Sequence, residues 1–170
     1  SPDIEIYSID EMFLKLSGID QVLNNYGQTM REMLWKQVRM PVSVGIAPSK
    51  TLSKLANHAA KNIPSCDGVC LLDSPHKWQW LLHRVPVTKV WGIGSRIGRR
   101  LADMSIHTAW DLASSNPKTI RRQFNVCVER TIEELNGNSC LTLEDMPPDK
   151  KQIYCTRSFG EKPTDIAPLL

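Results

Sequence analysis

"PVSVGIAPSKTLSKLANHAAKN", residues 41 to 62, reads as a strand that turns directly into a helix. Residues 41 to 47 form a short buried strand, and Pro48 with Ser49 opens a helix that runs to about Asn62. At about 100° per residue, Lys50, Lys54 and Lys61 fall within roughly 40° of one another, with Leu52, Leu55 and Ala59 opposite. Like charges four residues apart destabilise a helix, so a stripe of three ammonium groups suits an anion such as a triphosphate or nucleic acid. A solvated outer face is the plainer alternative. The "GIAPS" turn could set the helix N-terminus beside a phosphate, but no G-x-x-x-x-G-K-[ST] loop precedes it, so it is no P-loop.

Outward from this unit, residues 68 to 73 ("GVCLLD") read as another strand, followed by Pro75 and a short helix carrying Trp78, Leu81 and Leu82. Upstream, residues 20 to 38 place Val22, Leu23, Tyr26, Met30, Met33, Leu34 and Val38 at helical spacing, with Asp20 as N-cap. Before that helix, "EIYSIDEMFLKL" (5 to 16) has strand character on both sides of an acidic pair, Asp10 and Glu11. The resulting order is strand, strand, helix, strand, helix, strand. It implies an α+β fold with a mostly antiparallel sheet and helices on one face.

Adjacent acids in a half-buried strand must be hydrated, paired or bound to a cation. Successive strand side chains point to opposite faces, so Asp10 and Glu11 could share an ion only at a strand end or bulge. A solvated pair in a hairpin turn remains the alternative. A metal reading needs both acids beside the lysine-bearing helix, with Lys61 near them.

From Val85 the strand signals stop, and residues 87 to 136 read as several short helices forming an all-helical unit. Within it, Val90 and Trp91 close a short helix, Gly92-Ile93-Gly94 makes a tight hairpin, and Ser95 to Met104 form a helix. Ile97 and Leu101 face inward, while Arg96, Arg99 and Arg100 face outward. This pattern matches a helix-hairpin-helix, in which the two glycines permit positive φ and Gly98 allows close helix packing. With Lys89, such a unit grips phosphates without reading sequence. A merely structural helical corner is the alternative. Residues 144 to 152 are a polar linker, and 153 to 162 resemble one strand of a further sheet.

The 170 residues carry a formal net charge of +3, with bases concentrated in 50–61 and 84–130, which suggests a polyanionic partner. No apolar run approaches the 18 or so residues needed to span a bilayer, and no leader peptide is visible. The five cysteines include no C-x-x-C pair; reduced thiols in a cytoplasmic protein explain them more simply than zinc beside Cys66, Cys70, His58 and His76. Trp35, Trp78, Trp80, Trp91 and Trp110 read as core and interdomain packing. The histidines lack ligand-like spacing, and Ser8 has no nucleophile setting.

"YSIDE", then "VSVGIAPSKTLSKLANHAAK", then a helix-hairpin-helix, in that order, resemble the Y-family translesion DNA polymerases, in detail their bacterial UmuC branch. The resemblance implies that Asp10 and Glu11 are two of three acidic ligands for paired Mg²⁺ ions, and that Lys61, with Lys54 on the same stripe, meets the incoming nucleotide. Residues 1–84 would be the C-terminal part of the palm, 85–142 the thumb, 143–152 a linker and 153–170 the start of the little finger. The third acidic ligand, steric gate and fingers would lie upstream, so the chain is expected to be a fragment without polymerase activity. The implied partners are primer-template DNA and a deoxynucleoside triphosphate, with a UmuD-like accessory subunit, RecA and a sliding clamp. Two other readings stay open: a non-catalytic DNA-binding helix-hairpin-helix module with structural acids, and a docking fragment for an accessory protein.

Overall fold

The computed structural model describes residues 3–19 and 22–143. Strand β1 (Ile4–Ile6) pairs antiparallel with β2 (Met12–Leu14), with Ile4 opposite Leu14 and Ile6 opposite Met12. Residues 7–11 form the connecting loop, closed where Tyr7 and Ser8 donate backbone N–H bonds to the Glu11 carbonyl (3.1 and 3.0 Å). The acidic pair thus sits on a loop, the irregularity that a shared site requires.

Helix α1 (Leu23–Val38) follows, with Val22 at its cap position and no side-chain cap; Asp20 lies outside the described residues. Its expected apolar face is buried only in part. Gly27 is buried against β4 (Val69–Leu71), where an added Cβ would stand 2.8 Å from Val69 Cγ1. Met33, Leu34, Trp35 and Val38 are exposed. A 16-residue helix is about 24 Å long, whereas a three-residue strand covers about 10 Å, so the C-terminal half of α1 runs past its sheet.

β3 (Val44–Ile46) pairs with β4 in parallel, Val44 with Val69 and Ile46 with Leu71, as a second two-stranded sheet separate from β1–β2. The expected mostly antiparallel sheet is therefore corrected to one antiparallel and one parallel pair. The cause is α2 (Lys50–Asn62): a helical crossover returns the chain in its original direction, so the strands it joins run parallel. Ser49 caps α2 by accepting from the Leu52 N–H, and Leu52, Leu55, Ala56 and Ala59 are buried on the face opposite the lysines. Gly45 lets β3 lie directly on this helix: a Cβ there would come 2.2 Å from Asn57 N and 2.3 Å from Ser53 O.

Helix α3 (Pro75–Leu82) buries Leu81 and Leu82, and the chain is helical thereafter: a 3-10 turn (Val87–Lys89), α4 (Ser95–Ala102), α5 (Ala109–Ala113), α6 (Pro117–Gln123) and α7 (Val126–Leu135). A lone backbone bridge joins Pro86 to Thr108. One apolar cluster runs from Leu52 and Leu55 on α2 through Leu81, Leu101 and Leu112 to Ile132 and Leu135, without a break near residue 84. Trp78 and Trp110 pack against it as expected, while Trp35 and Trp80 stand largely exposed. Most of the expected linker and all of the expected strand at 153–162 lie outside the described residues.

Candidate functional site

The lysine stripe of α2 faces the β1–β2 hairpin. Lys50 Nζ lies 2.5 Å from Glu5 Oε2 and donates to the Thr142 carbonyl at 2.7 Å; Lys54 Nζ lies 2.5 Å from Glu11 Oε2. Carboxylates of the same chain therefore offset the charge that the sequence leaves for a bound anion. These pairs are half-buried, so they are screened less than surface pairs. Lys61, two turns beyond, is exposed and has no salt bridge among the described residues.

Asp10 is exposed, and its carboxyl is held below the usual carboxylate range, chiefly because the Ser8 hydroxyl donates to Oδ1 at 2.7 Å, with the Lys61 and Lys54 charges adding to the effect. It is thus an ionised carboxylate at neutral pH. Asp10 and Glu11 offer hard oxygen donors of the kind Mg²⁺ takes. That fit is partial: among the described residues, no group of three His, Cys, Asp or Glu that could hold a metal ion is present.

Behind the acids, an aromatic trio joins the hairpin to the helical half. Trp91 donates its indole N–H to Tyr7 Oη at 3.0 Å, and the two rings stand edge to face at 5.4 Å. Phe13 completes the trio, 5.7 Å from Tyr7 and 5.9 Å from Trp91. Lys54 Nζ stands 4.5 Å from the centre of the Tyr7 ring, and Lys50 Nζ 5.1 Å from that of Phe13. A cavity of about 270 Å³ opens beside this cluster, lined by Glu11, Lys54, Asn57, His58, Lys61, Lys89 and Trp91. Asn57 Oδ1 is the one buried side-chain polar atom without a partner among the described residues.

The structure therefore brings Glu11, Lys54 and Lys61 together with Lys89, which comes from the 3-10 turn. Gly92 takes the left-handed region at φ +84°, but Gly94 caps α4 with φ −76°, so only the first glycine uses its conformational freedom. Both are exposed with open space where a Cβ would project. Gly98 is tight: a Cβ would meet Thr88 Cγ2 at 2.7 Å, so α4 lies close on the turn as expected. The element before the hairpin is a single 3-10 turn, and α4 ends at Ala102, two residues before the expected Met104. Arg96 and Arg99 point to solvent. Arg100 is engaged locally, donating to the Gln123 carbonyl and standing 4.5 Å over the Phe124 ring.

The N-terminus of α2 is not open to a phosphate as the turn sequence suggests. Ser49 and Thr51 are buried, and Glu134 of α7 occupies the place: its Oε2 accepts the Thr51 N–H at 2.9 Å, and the Ser49 hydroxyl donates to its carbonyl at 2.7 Å. Sequence reasoning missed Glu134, Glu5, Tyr7 and Phe13. No spacing rule marks them; "YSIDE" gives a signal only for its last two residues, Asp10 and Glu11. Cys66, Cys70, Cys127 and Cys140 are free thiols, with burial first and Cys66 second pushing Cys70 up to about 12; Cys155 lies outside the described residues. No helix among the described residues is long and apolar enough to cross a membrane.

This arrangement, an acidic hairpin over a lysine-bearing helix with a helical unit behind it, has the fold of Y-family DNA polymerase domains. A solved insertion ternary complex of Dbh DNA polymerase superposes with a TM-score of 0.65 at 24% identity, covering 84% of this chain and 41% of that one. Residues 1–58 match the family model described as IMS, impB/mucB/samB family. UmuC of Salmonella typhimurium strain LT2 is 46% identical across 96% of this chain and 40% of its own length, and SamB of Salmonella typhimurium 45% across the same shares. Residues 1–58 are thus similar to the impB/mucB/samB family, and the likeness to UmuC-like proteins runs along nearly the whole chain. The chain spans about 40% of the length of these relatives.

Proposed function

We propose that this chain is the catalytic-loop and thumb portion of a template-directed DNA polymerase of the UmuC type, acting in translesion synthesis on damaged DNA. The observation that carries the reading is the shared cavity: Glu11 of the acidic loop, Lys54 and Lys61 of α2, and Lys89 of the helical unit line one depression. A carboxylate next in sequence to a second one, phosphate-binding cations and a backbone-gripping element at one place are what nucleotidyl transfer needs.

Asp10 and Glu11 would hold Mg²⁺, together with an acidic residue supplied by sequence outside these residues. The bound ions would neutralise charge on the pyrophosphate leaving group and lower the pKa of the primer hydroxyl. Lys61, exposed and without a salt bridge among the described residues, would meet the triphosphate, and Lys54 can do so by leaving Glu11. Gly92 and Gly94, at the start of α4, with Lys89, Arg96 and Arg99, would hold the duplex by its phosphates in the manner of a helix-hairpin-helix. Arg100 would join them once released from Gln123. Binding of this kind ignores base identity, which suits a damaged template. The UmuD-like subunit, RecA and sliding clamp come from the family likeness alone, as does action in the cytoplasm.

Primer extension by a full-length protein carrying this segment tests the reading. Asp10→Asn or Glu11→Gln should abolish extension while leaving salt-sensitive duplex binding in place. Full extension by either variant would instead leave the chain as a non-catalytic DNA-binding module.

A further inference from the structure

The β1–β2 hairpin has little to hold it. Two strands of three residues are not stable alone, and Ile4, Ile6, Ile9 and Met12 all face outward. Among the described residues, its anchorage to the rest of the protein includes two ion pairs to α2, the Lys54 and Lys50 ammonium groups over the Tyr7 and Phe13 rings, and the contact of Tyr7 and Phe13 with Trp91. The last of these reaches the helical half. Trp91 is followed at once by Gly92 and the hairpin that leads into α4, and Tyr7 by Ser8 and the acidic pair. One hydrogen bond and one edge-to-face contact thus connect the two segments at their adjoining ends.

We propose that Tyr7 and Trp91 are positioning residues that fix the acidic loop relative to the Gly92–Gly94 hairpin, so that the two segments shift together. Neither side chain need touch a reacting atom. Lys54 reinforces the coupling, because its ammonium lies within 4.5 Å of the Tyr7 ring centre and 5.9 Å of the Trp91 ring centre while it pairs with Glu11. Displacing the indole would loosen the surroundings of the loop's own lysine as well as the loop. The inference rests on the proposed function only where it speaks of DNA; the mechanical link stands on the contacts themselves.

Amide hydrogen exchange on the 170-residue chain tests the link without DNA. Tyr7 and Ser8 N–H, both bonded to the Glu11 carbonyl, report loop opening. Trp91→Leu should speed their exchange by about tenfold, the upper range for loss of an aromatic pair, with Leu52 and Ile132 unchanged. Tyr7→Phe, which removes only the hydroxyl and keeps the ring, should give a smaller increase at the same amides. Unchanged loop protection in both variants overturns the proposal.

A short mixed-sequence duplex supplies the second arm. In the native chain it should shift the Gly92 and Gly94 amides together with those of Ser8 to Glu11, and in Trp91→Leu only the former. A duplex that shifts the glycines but never the loop overturns the coupling and leaves the phosphate grip standing. One that shifts neither removes the grip, and the exchange result then decides the link by itself.

Discussion

Glu134 is 1% exposed, and its carboxylate accepts three backbone N–H bonds: Thr51 at 2.9 Å on one oxygen, Cys140 at 2.7 Å and Leu141 at 3.1 Å on the other. It therefore caps α2 from a different helix and pins the segment that follows α7. Hydrogen bonds to a charged group contribute roughly 1.5–3 kcal/mol each, and a buried donor left unpaired costs about 1–3 kcal/mol. In Glu134→Gln, the amide oxygen can keep Cys140 and Leu141, but its NH₂ then faces the Thr51 N–H. The change should cost about 2 kcal/mol. Glu134→Ala orphans all three donors and should cost roughly 3–5 kcal/mol, the range for breaking a buried charged network. The three losses share one side chain and will not simply add. Denaturant midpoints at constant m-value measure the effect, and for a chain of this length 2 kcal/mol corresponds to a fall in Tm of about 4–8 °C. Exchange at Thr51, Cys140 and Leu141 should quicken before that of Leu112. A Glu134→Gln protein with wild-type midpoint and wild-type protection at these amides would refute the reasoning.

Two further predictions concern packing and pH. Gly45→Ala forces a Cβ into the backbone of α2, where no side chain can swing away, and should destabilise by about 1–3 kcal/mol or more, read from the urea midpoint. Asp111 caps α5 by accepting the Thr108 and His107 N–H bonds, which hold its carboxyl below the ordinary range, the Thr108 bond most of all. A depressed folded value means that its contribution is present above the unfolded carboxylate pKa of about 3.9 and is lost as pH falls through the folded value. Stability of Asp111→Asn should accordingly fall less steeply than wild type below about pH 4, with a smaller difference between the proteins in acid than at pH 7.

Helix α2 was legible because Leu52, Leu55 and Ala59 recur at helical spacing and Ser49 is a recognisable cap. The lysines opposite them were equally visible, but their partners were not: Glu5 and Glu11 lie more than forty residues away and meet Lys50 and Lys54 only through the fold. The direction of β3 against β4 follows from the crossover helix between them, a topological fact that the strand residues do not encode. On α1 the apolar periodicity was real, yet it could not say how little sheet lies beneath the helix, so Met33, Leu34, Trp35 and Val38 were expected inside. Glu134 was illegible for the opposite reason. As one of two successive glutamates on a short helix it looks like a solvated residue, and only the approach of the α2 N-terminus makes it a cap.

The claim on which the functional account rests is that the Ser8–Glu11 loop binds a divalent cation through both acids. Mn²⁺ titrated into the protein and followed by paramagnetic broadening tests it directly. Broadening should centre on the amides of Ser8 to Glu11, reach the Trp91 indole, and disappear in Asp10→Asn and in Glu11→Gln. Broadening that is absent, or that survives both substitutions, would contradict it.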